Sequence, residues 1–247
     1  MKTLVERYRG LLRTRRIDNW VLLGFLLLVA AAFVFTKLAS EVVEGDTLGF
    51  DRWLLQALRS PADASIPAGP RWLRTAMIDV TALGGVAVLT IITTIAVGYL
   101  VVGRKWAMGL FLAGAVIGGS TLNTLLKLGF ARNRPDIVAH LVDVQTASFP
   151  SGHAMNSAVV YLTLGALLAR AEKDRAVRLY LIGVAIMLTL TIGSSRVYLG
   201  VHWPSDVIAG WCVGAFWALL CSLAARMLQR QRKLEQPGEA APPAGQG

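Results

Sequence analysis

Long apolar runs constrain this chain more than any other feature of its sequence. A spanning helix needs roughly 18 or more consecutive, mostly apolar residues, and about six stretches qualify: Trp20 to Ala39, Ile78 to Val102, Trp106 to Leu126, His153 to Ala169, Leu179 to Ser194 and Pro204 to Ala225. Backbone groups inside lipid have no water to bond, so a spanning segment is a helix or part of a closed barrel. The alternation of barrel strands is not seen in these runs. The expected fold is therefore all-α, a polytopic membrane protein of about six transmembrane helices in one bundle. Composition agrees: 55% of the 247 residues are hydrophobic, 16% are charged and mean hydropathy is +0.55, too apolar for an ordinary soluble domain.

A net charge of +10 would suit a nucleic-acid binder, but the cations lie between apolar runs rather than along one polar helix face, so no nucleic-acid partner is expected. Lys and Arg gather on the cytoplasmic side of spanning helices. They do so in an N-terminal arm (Lys2, Arg7, Arg9, Arg13, Arg15, Arg16), after the second span (Arg104, Lys105), after the fourth (Arg170, Lys173, Arg175, Arg178) and in the tail (Arg226, Arg230, Arg232, Lys233). Both termini are thus expected inside. The organisation reads as a basic arm over 1–19, a six-span domain over 20–226 and a tail over 227–247, disordered from about residue 236 by its Pro, Gly, Ala and Gln content. A cleaved signal peptide is the rival reading of the first run, whose apolar stretch is longer than a signal core.

Smaller features carry structural expectations. Phe50, Trp53, Leu54, Ala57 and Leu58 recur at helical spacing in the first outer connection, as a short extracytoplasmic helix lying in the interface or as a lid packed on the bundle. Gly114 with Gly118, and Gly210 with Gly214, lie one turn apart and would let helices approach closely. Cys212 and Cys221, nine residues apart, fall on opposite helix faces and suit neither a disulfide nor a metal pair. His140 has no partner at motif spacing and reads as an ordinary hydrogen-bonded histidine.

The chemistry concentrates in three clusters in the third and fifth connections or at the helix ends beside them. Lys127 is followed by Arg134 and Pro135; Pro150, Ser151, Gly152 and His153 are consecutive; Ser195 and Arg196 precede His202 and Asp206. Charges near lipid cost at least a few kcal/mol unless paired or hydrated, and Lys127, Arg132, Arg134 and Arg196 run against the orientation rule. Lys127, Arg134 and Arg196 at one membrane face therefore suggest a bound anion. Arginine forks match phosphate oxygens and lysine adds a point charge. Ser151 suits an N-cap and Gly152 lets backbone approach an anion at a helix N-terminus. Pro204 fits a first helical turn, with Asp206 about one turn beyond His202, where its carboxylate would hold one imidazole nitrogen and aim the other outward as a nucleophile. Zinc is disfavoured by the scarcity of ligands and by the surrounding cations; no metal or cofactor is expected.

The three clusters resemble the signature of the type-2 phosphatidic acid phosphatase superfamily, K-x6-R-P, P-S-G-H and S-R-x5-H-x3-D, here Lys127 to Pro135, Pro150 to His153 and Ser195 to Asp206, complete and in order. Any one motif is weak; three with matching spacing are specific. The resemblance implies that His202 attacks phosphorus to form a phosphohistidine, Asp206 orients it, His153 protonates the leaving oxygen, and Lys127, Arg134, Ser151, Gly152 and Arg196 bind the phosphoryl group. It implies a metal-independent lipid phosphate phosphatase of a bacterial-type inner membrane, its site facing the periplasm or exterior, acting on a lipid such as undecaprenyl diphosphate, phosphatidylglycerophosphate or phosphatidate. Two alternatives are a lipid-to-lipid phosphotransferase using the same phosphohistidine and a non-catalytic lipid-phosphate binder or transporter. The second has no need of a nucleophile, a carboxylate and an acid together.

Overall fold

The computed structural model describes residues 19–231 together with 234 and 235. The basic arm up to residue 18 and the tail from residue 236, with its expected disorder, lie outside the described residues. Apolar composition yields long helices in chain order: α1 (Asn19–Glu44), α2 (Leu48–Ala57), α3 (Arg71–Ala82), α4 (Val86–Val102), α5 (Trp106–Phe130), α6 (Gly152–Ala171), α7 (Arg175–Tyr198) and α8 (Pro204–Arg230). Among the described residues five helices are long and apolar enough to cross a membrane, or six when α3 and α4 count as one bent span. Leu22, Phe25, Leu26, Leu110, Ile117, Ile186 and Leu190 are exposed on the bundle exterior, where lipid replaces water and leaves no hydrophobic penalty.

The second expected span needs correction. Ile78 to Val102 is not one helix: α3 begins earlier, at Arg71, and meets α4 at a 48° bend across residues 83–85. Two glycines at the break explain it, since kinks form where the helical ladder is weakest. Gly84 is also a close-approach point, because a Cβ there would come 2.4 Å from Cγ2 of Ile192 and 3.3 Å from Cδ2 of His153. The broken backbone is satisfied in part by Tyr161, whose hydroxyl donates to the Leu83 carbonyl at 2.8 Å. Tyr161 itself lies in a π-helical turn, Ala158–Leu162, inside α6, a local widening of the kind that re-aims side chains near functional sites.

The glycine pairs divide. Gly210 and Gly214 do bring α8 against α6: added Cβ atoms would meet the Ser151 carbonyl oxygen at 2.7 Å and that of Met155 at 2.6 Å. On α5, Gly114 faces nothing within 4 Å, whereas Gly118 and its neighbour Gly119 receive the Trp217 ring, at 2.7 and 3.2 Å from their added Cβ positions. Cys212 is half-buried and Cys221 buried, both as free thiols.

The connection from α1 to α3 is structured and departs locally from an all-helical chain. After α2 come β1 (Arg59–Ser60) and β2 (Asp63–Pro67), paired antiparallel. The helix α2 packs on the bundle along one face and leaves aromatic side chains exposed along the other. Asp51 and Leu55 are fully buried against the bundle, while Phe50 and Trp53 are 49% and 63% exposed. Phe50 and Trp53 therefore point away from the bundle, whereas Leu58 packs on the buried core and the inward face carries Asp51 beside Leu55. The long α5–α6 connection is pinned by Phe149, which stacks on Phe35 of α1 at 6.1 Å and meets Phe130 edge-on at 4.8 Å; such ring pairs contribute about 0.5–1.5 kcal/mol each beyond burial.

Candidate active site

Two connections, α5–α6 and α7–α8, converge at one end of the bundle, with α2 beside them. The α7–α8 turn is short, closed by Gly200 at φ +76°, so His202 and Trp203 stand directly before α8. Pro204 takes the first helical position, and Asp206, at the third, accepts the Trp203 N–H at 2.9 Å. This is a capping contact that holds one carboxylate oxygen, Oδ2, beside the buried imidazole.

Arg134 reaches across from the other connection. Its Nη1 donates to the Val201 carbonyl at 2.5 Å and lies 3.3 Å from Nε2 of His202; its Nε donates to the Thr146 carbonyl at 2.8 Å. Arginine can only donate, so Nε2 facing it is the unprotonated nitrogen and the proton sits on Nδ1. On that side Nδ1 is 3.4 Å from Oδ2 of Asp206 and 3.3 Å from Oγ of Ser148, whose hydroxyl in turn donates to the same Oδ2. The direct His202–Asp206 contact expected from the spacing is thus a long one, bridged by a serine hydroxyl that can accept from Nδ1 while donating to the carboxylate. Burial, ahead of the opposing pull of Asp206, pushes the His202 imidazole down to about 4. It is neutral near pH 7.

The remaining motif residues surround this pair. Lys127, on the last turn of α5, donates from Nζ to the Ala147 carbonyl. Arg196, buried at the end of α7, donates from Nη1 to the hydroxyl of Thr81 at 2.9 Å, while its Nε has no partner. Ser151 holds the N-cap position of α6 in extended geometry, but its hydroxyl does not cap the helix; it is buried and unpartnered. The N-cap expectation holds for the backbone and fails for the side chain. Gly152 lies against α5, where a Cβ would sit 3.1 Å from Nδ2 of Asn123 and 3.5 Å from Cε of Lys127. His153 follows, and the charges of Arg196, Lys127 and Arg134, with His202, act on it electrostatically. Buried polar atoms are nearly always bonded, so Arg196 Nε and Ser151 Oγ, left over among cations, suit the oxygens of a tetrahedral anion. Among the described residues no group of three His, Cys, Asp or Glu side chains is placed to hold a metal ion. His140 stands apart, its Nε2 2.7 Å from the Pro135 carbonyl oxygen.

Sequence reasoning missed Ser148, Arg132, Asp51 and Thr81. Ser148 lies two residues before the second motif, and that adjacency was its one signal; Arg132 lies inside the first motif and also stood out against the orientation rule, but it was not assigned to the site. Asp51 falls between the apolar positions of the short helix expected in the first outer connection, and nothing in the sequence marked it or Thr81 as part of the site.

Residues 104–230, which carry this whole arrangement apart from α2 and Thr81, match the PAP2 superfamily. The chain is 36% identical over 148 residues to phosphatidylglycerophosphatase B of Bacillus subtilis, covering 58% of this chain and 70% of that one. It is 34% identical over 136 residues to a decaprenylphosphoryl-5-phosphoribose phosphatase of Mycobacterium tuberculosis, covering 53% and 67%. The crystal structure of a transmembrane PAP2-type phosphatidylglycerolphosphate phosphatase from Bacillus subtilis superposes with a TM-score of 0.72 at 29% identity, over 82% of this chain and 98% of that one. With motifs, helices and relatives in agreement, the chain belongs to the PAP2 superfamily and is a multi-pass membrane lipid phosphatase of that type.

Proposed function

We propose that the protein hydrolyses the phosphomonoester or diphosphate of a membrane lipid through a phosphohistidine on His202, without a metal ion. The observation that carries this reading is the geometry of one imidazole: Nε2 open toward the guanidinium of Arg134 at 3.3 Å, Nδ1 held toward Ser148 and Asp206. A phosphoryl group bound by Lys127, Arg134, Arg196, Ser151 and the backbone at Gly152 would present phosphorus to Nε2. Attack forms the N–P bond as the P–O bond to the lipid breaks, and His153 gives its proton to the departing oxygen. Water, relieved of a proton by the same His153, then cleaves the N–P bond and releases inorganic phosphate. Catalysis of this kind rests on positioning and on neutralising charge spread over the phosphoryl oxygens, which is what the cationic surround supplies.

The site is further proposed to face the exterior, with both termini inside. Arg104, Lys105, Arg170, Lys173, Arg175 and Arg178 all sit at the bundle end remote from His202, in or beside the α4–α5 and α6–α7 connections, as the excess of cytoplasmic cations demands. Hydrolysis needs no nucleotide and so runs in that compartment. Undecaprenyl diphosphate, phosphatidylglycerophosphate and phosphatidate are the substrate types put forward; the relatives' names, both lipid phosphatases, support the class. Short-chain, membrane-impermeant versions of these three, added to sealed right-side-out vesicles containing the protein and excess chelator, should release phosphate. Release only after the vesicles are opened would overturn the orientation, and a strict Mg²⁺ requirement would overturn the metal-free mechanism.

The acid limb of the rate follows from the His202 environment. Only neutral imidazole attacks, and its value of about 4 in the free protein means that the loss of kcat/KM on acidification that belongs to His202 should come near pH 4 and not near 6.5. A bound phosphate dianion favours the imidazolium, so the limb in kcat should lie above that in kcat/KM. Profiles with two substrates of different headgroup pKa separate this limb, which stays fixed, from substrate ionisation, which moves. A fixed limb in kcat/KM at 6.5 would contradict the buried, neutral imidazole.

A further inference from the structure

The carboxylate beside His202 is gripped from behind by a side chain outside the phosphate pocket. Arg132 donates from Nη1 to Oδ1 of Asp206 at 2.6 Å and to the Ser205 hydroxyl at 2.8 Å. From Nη2 it donates to Oδ2 of Asp51 at 2.9 Å and to the Thr47 hydroxyl at 3.2 Å. Asp51 is itself fully buried, accepting the Ser205 N–H at 2.9 Å and its hydroxyl at 2.6 Å. The guanidinium also lies 5.5 Å from the centroid of the Trp203 ring. Every contact of this fork is thus directed at the first turn of α8 or at the segment from Thr47 to Asp51.

We infer that Arg132, anchored by Asp51, is a positioning residue for the proposed nucleophile, acting on His202 through Asp206; the inference rests on the reading of His202 given above. With Oδ1 committed to Arg132, only Oδ2 remains for the Trp203 N–H, the Ser148 hydroxyl and Nδ1 of His202, and the carboxylate plane cannot turn. A planar fork spans two carboxylates where a lysine ammonium offers a point charge. Electrostatics point the same way. On the Nδ1 side of the ring, away from Arg134, two buried carboxylates and one guanidinium carry a net charge of −1, which favours the positive ring created when Nε2 bonds to phosphorus. Asp51 lies outside the matched family segment, in α2, so α2 belongs to the catalytic scaffold rather than serving only as a surface helix.

The test is a double-mutant cycle on the full-length protein in detergent, with a short-chain lipid phosphate as substrate and labelled phosphate release followed over hours. Asp51→Asn, which keeps the shape of the side chain, and Arg132→Lys should each lower kcat about 10- to 100-fold, the usual range for a group that orients a reacting residue, with KM unchanged. In an Asp206→Asn background the same two substitutions should cost almost nothing, because the carboxylate they align has gone. Equal losses in both backgrounds, or a raised KM with kcat intact, would overturn the inference. Should Arg132→Lys prove unstable on heating, the isosteric Asp51→Asn decides alone. His202→Ala is run in parallel: activity surviving there defeats the nucleophile assignment, a result distinct from a cycle without coupling.

Discussion

His202→Ala is expected to abolish phosphate release from every lipid substrate, a fall of about 10⁵-fold or more, as for removal of a nucleophile that acts as part of a unit. The size of the effect follows from the role. On the proposed mechanism no phosphohistidine forms without Nε2, and the Thr146 hydroxyl, also 3.3 Å from Arg134, is a far weaker nucleophile than an imidazole. The imidazole is 2% exposed, so a loss of fold has to be distinguished from a loss of chemistry. Inorganic phosphate should still raise the thermal stability of the variant, since Lys127, Arg134 and Arg196 remain. Labelled lipid phosphate, quenched during turnover, should leave label on the wild-type protein in an acid-labile, alkali-stable form that maps to His202 and is absent from the variant. Turnover retained by the variant, with label trapped at another residue, would reassign the nucleophile.

Much of this arrangement is legible in the sequence because motif spacing and helix periodicity report on the same turns. Pro204 at a first helical position places Asp206 within one turn of His202, and three motifs with fixed internal spacing bring Lys127, Arg134 and Arg196 into one cationic group. Span reading matched single helices where an apolar run is bounded by charges and missed the bend within Ile78 to Val102, where a Gly-Gly step breaks the helix without breaking the apolar run. Hydropathy averages over that step, while the helical ladder does not. Asp51 escaped for a different reason. Its partners Arg132 and Ser205 are 81 and 154 positions away, and no local pattern encodes which face of a short amphipathic helix turns inward. Polar pairing decided it: burying Asp51 satisfies Arg132 and the first turn of α8, and an uncompensated buried charge there would cost about 3–5 kcal/mol. The Ser148 bridge was hidden by scale. A four-residue spacing says that two side chains can meet; it does not say that a third hydroxyl will stand between them.

His153→Ala should divide substrates by their leaving group. A lipid alkoxide is a poor leaving group and needs a proton in the transition state, so monoester turnover should fall by about 10²- to 10⁴-fold, the usual contribution of a positioned general acid. The lipid phosphate expelled from a diphosphate is far more stable as an anion, and formation of the phosphohistidine from it should slow by less than about tenfold on the same argument. Cleavage of the N–P bond by water is common to both substrates, and removing His153 as its base slows that step alike. The comparison is therefore made on single turnovers, by quenched-flow measurement of labelled phosphoenzyme from matched mono- and diphosphates of one short-chain alcohol. The variant should accumulate phosphohistidine from the diphosphate and very little from the monoester. The imidazole of His153 also fills space beside Gly84, so His153→Gln serves as the companion variant, similar in bulk and without an imidazole proton to give. Equal losses on the two substrates in both variants would remove His153 from the proton-transfer step and leave it as a wall of the pocket.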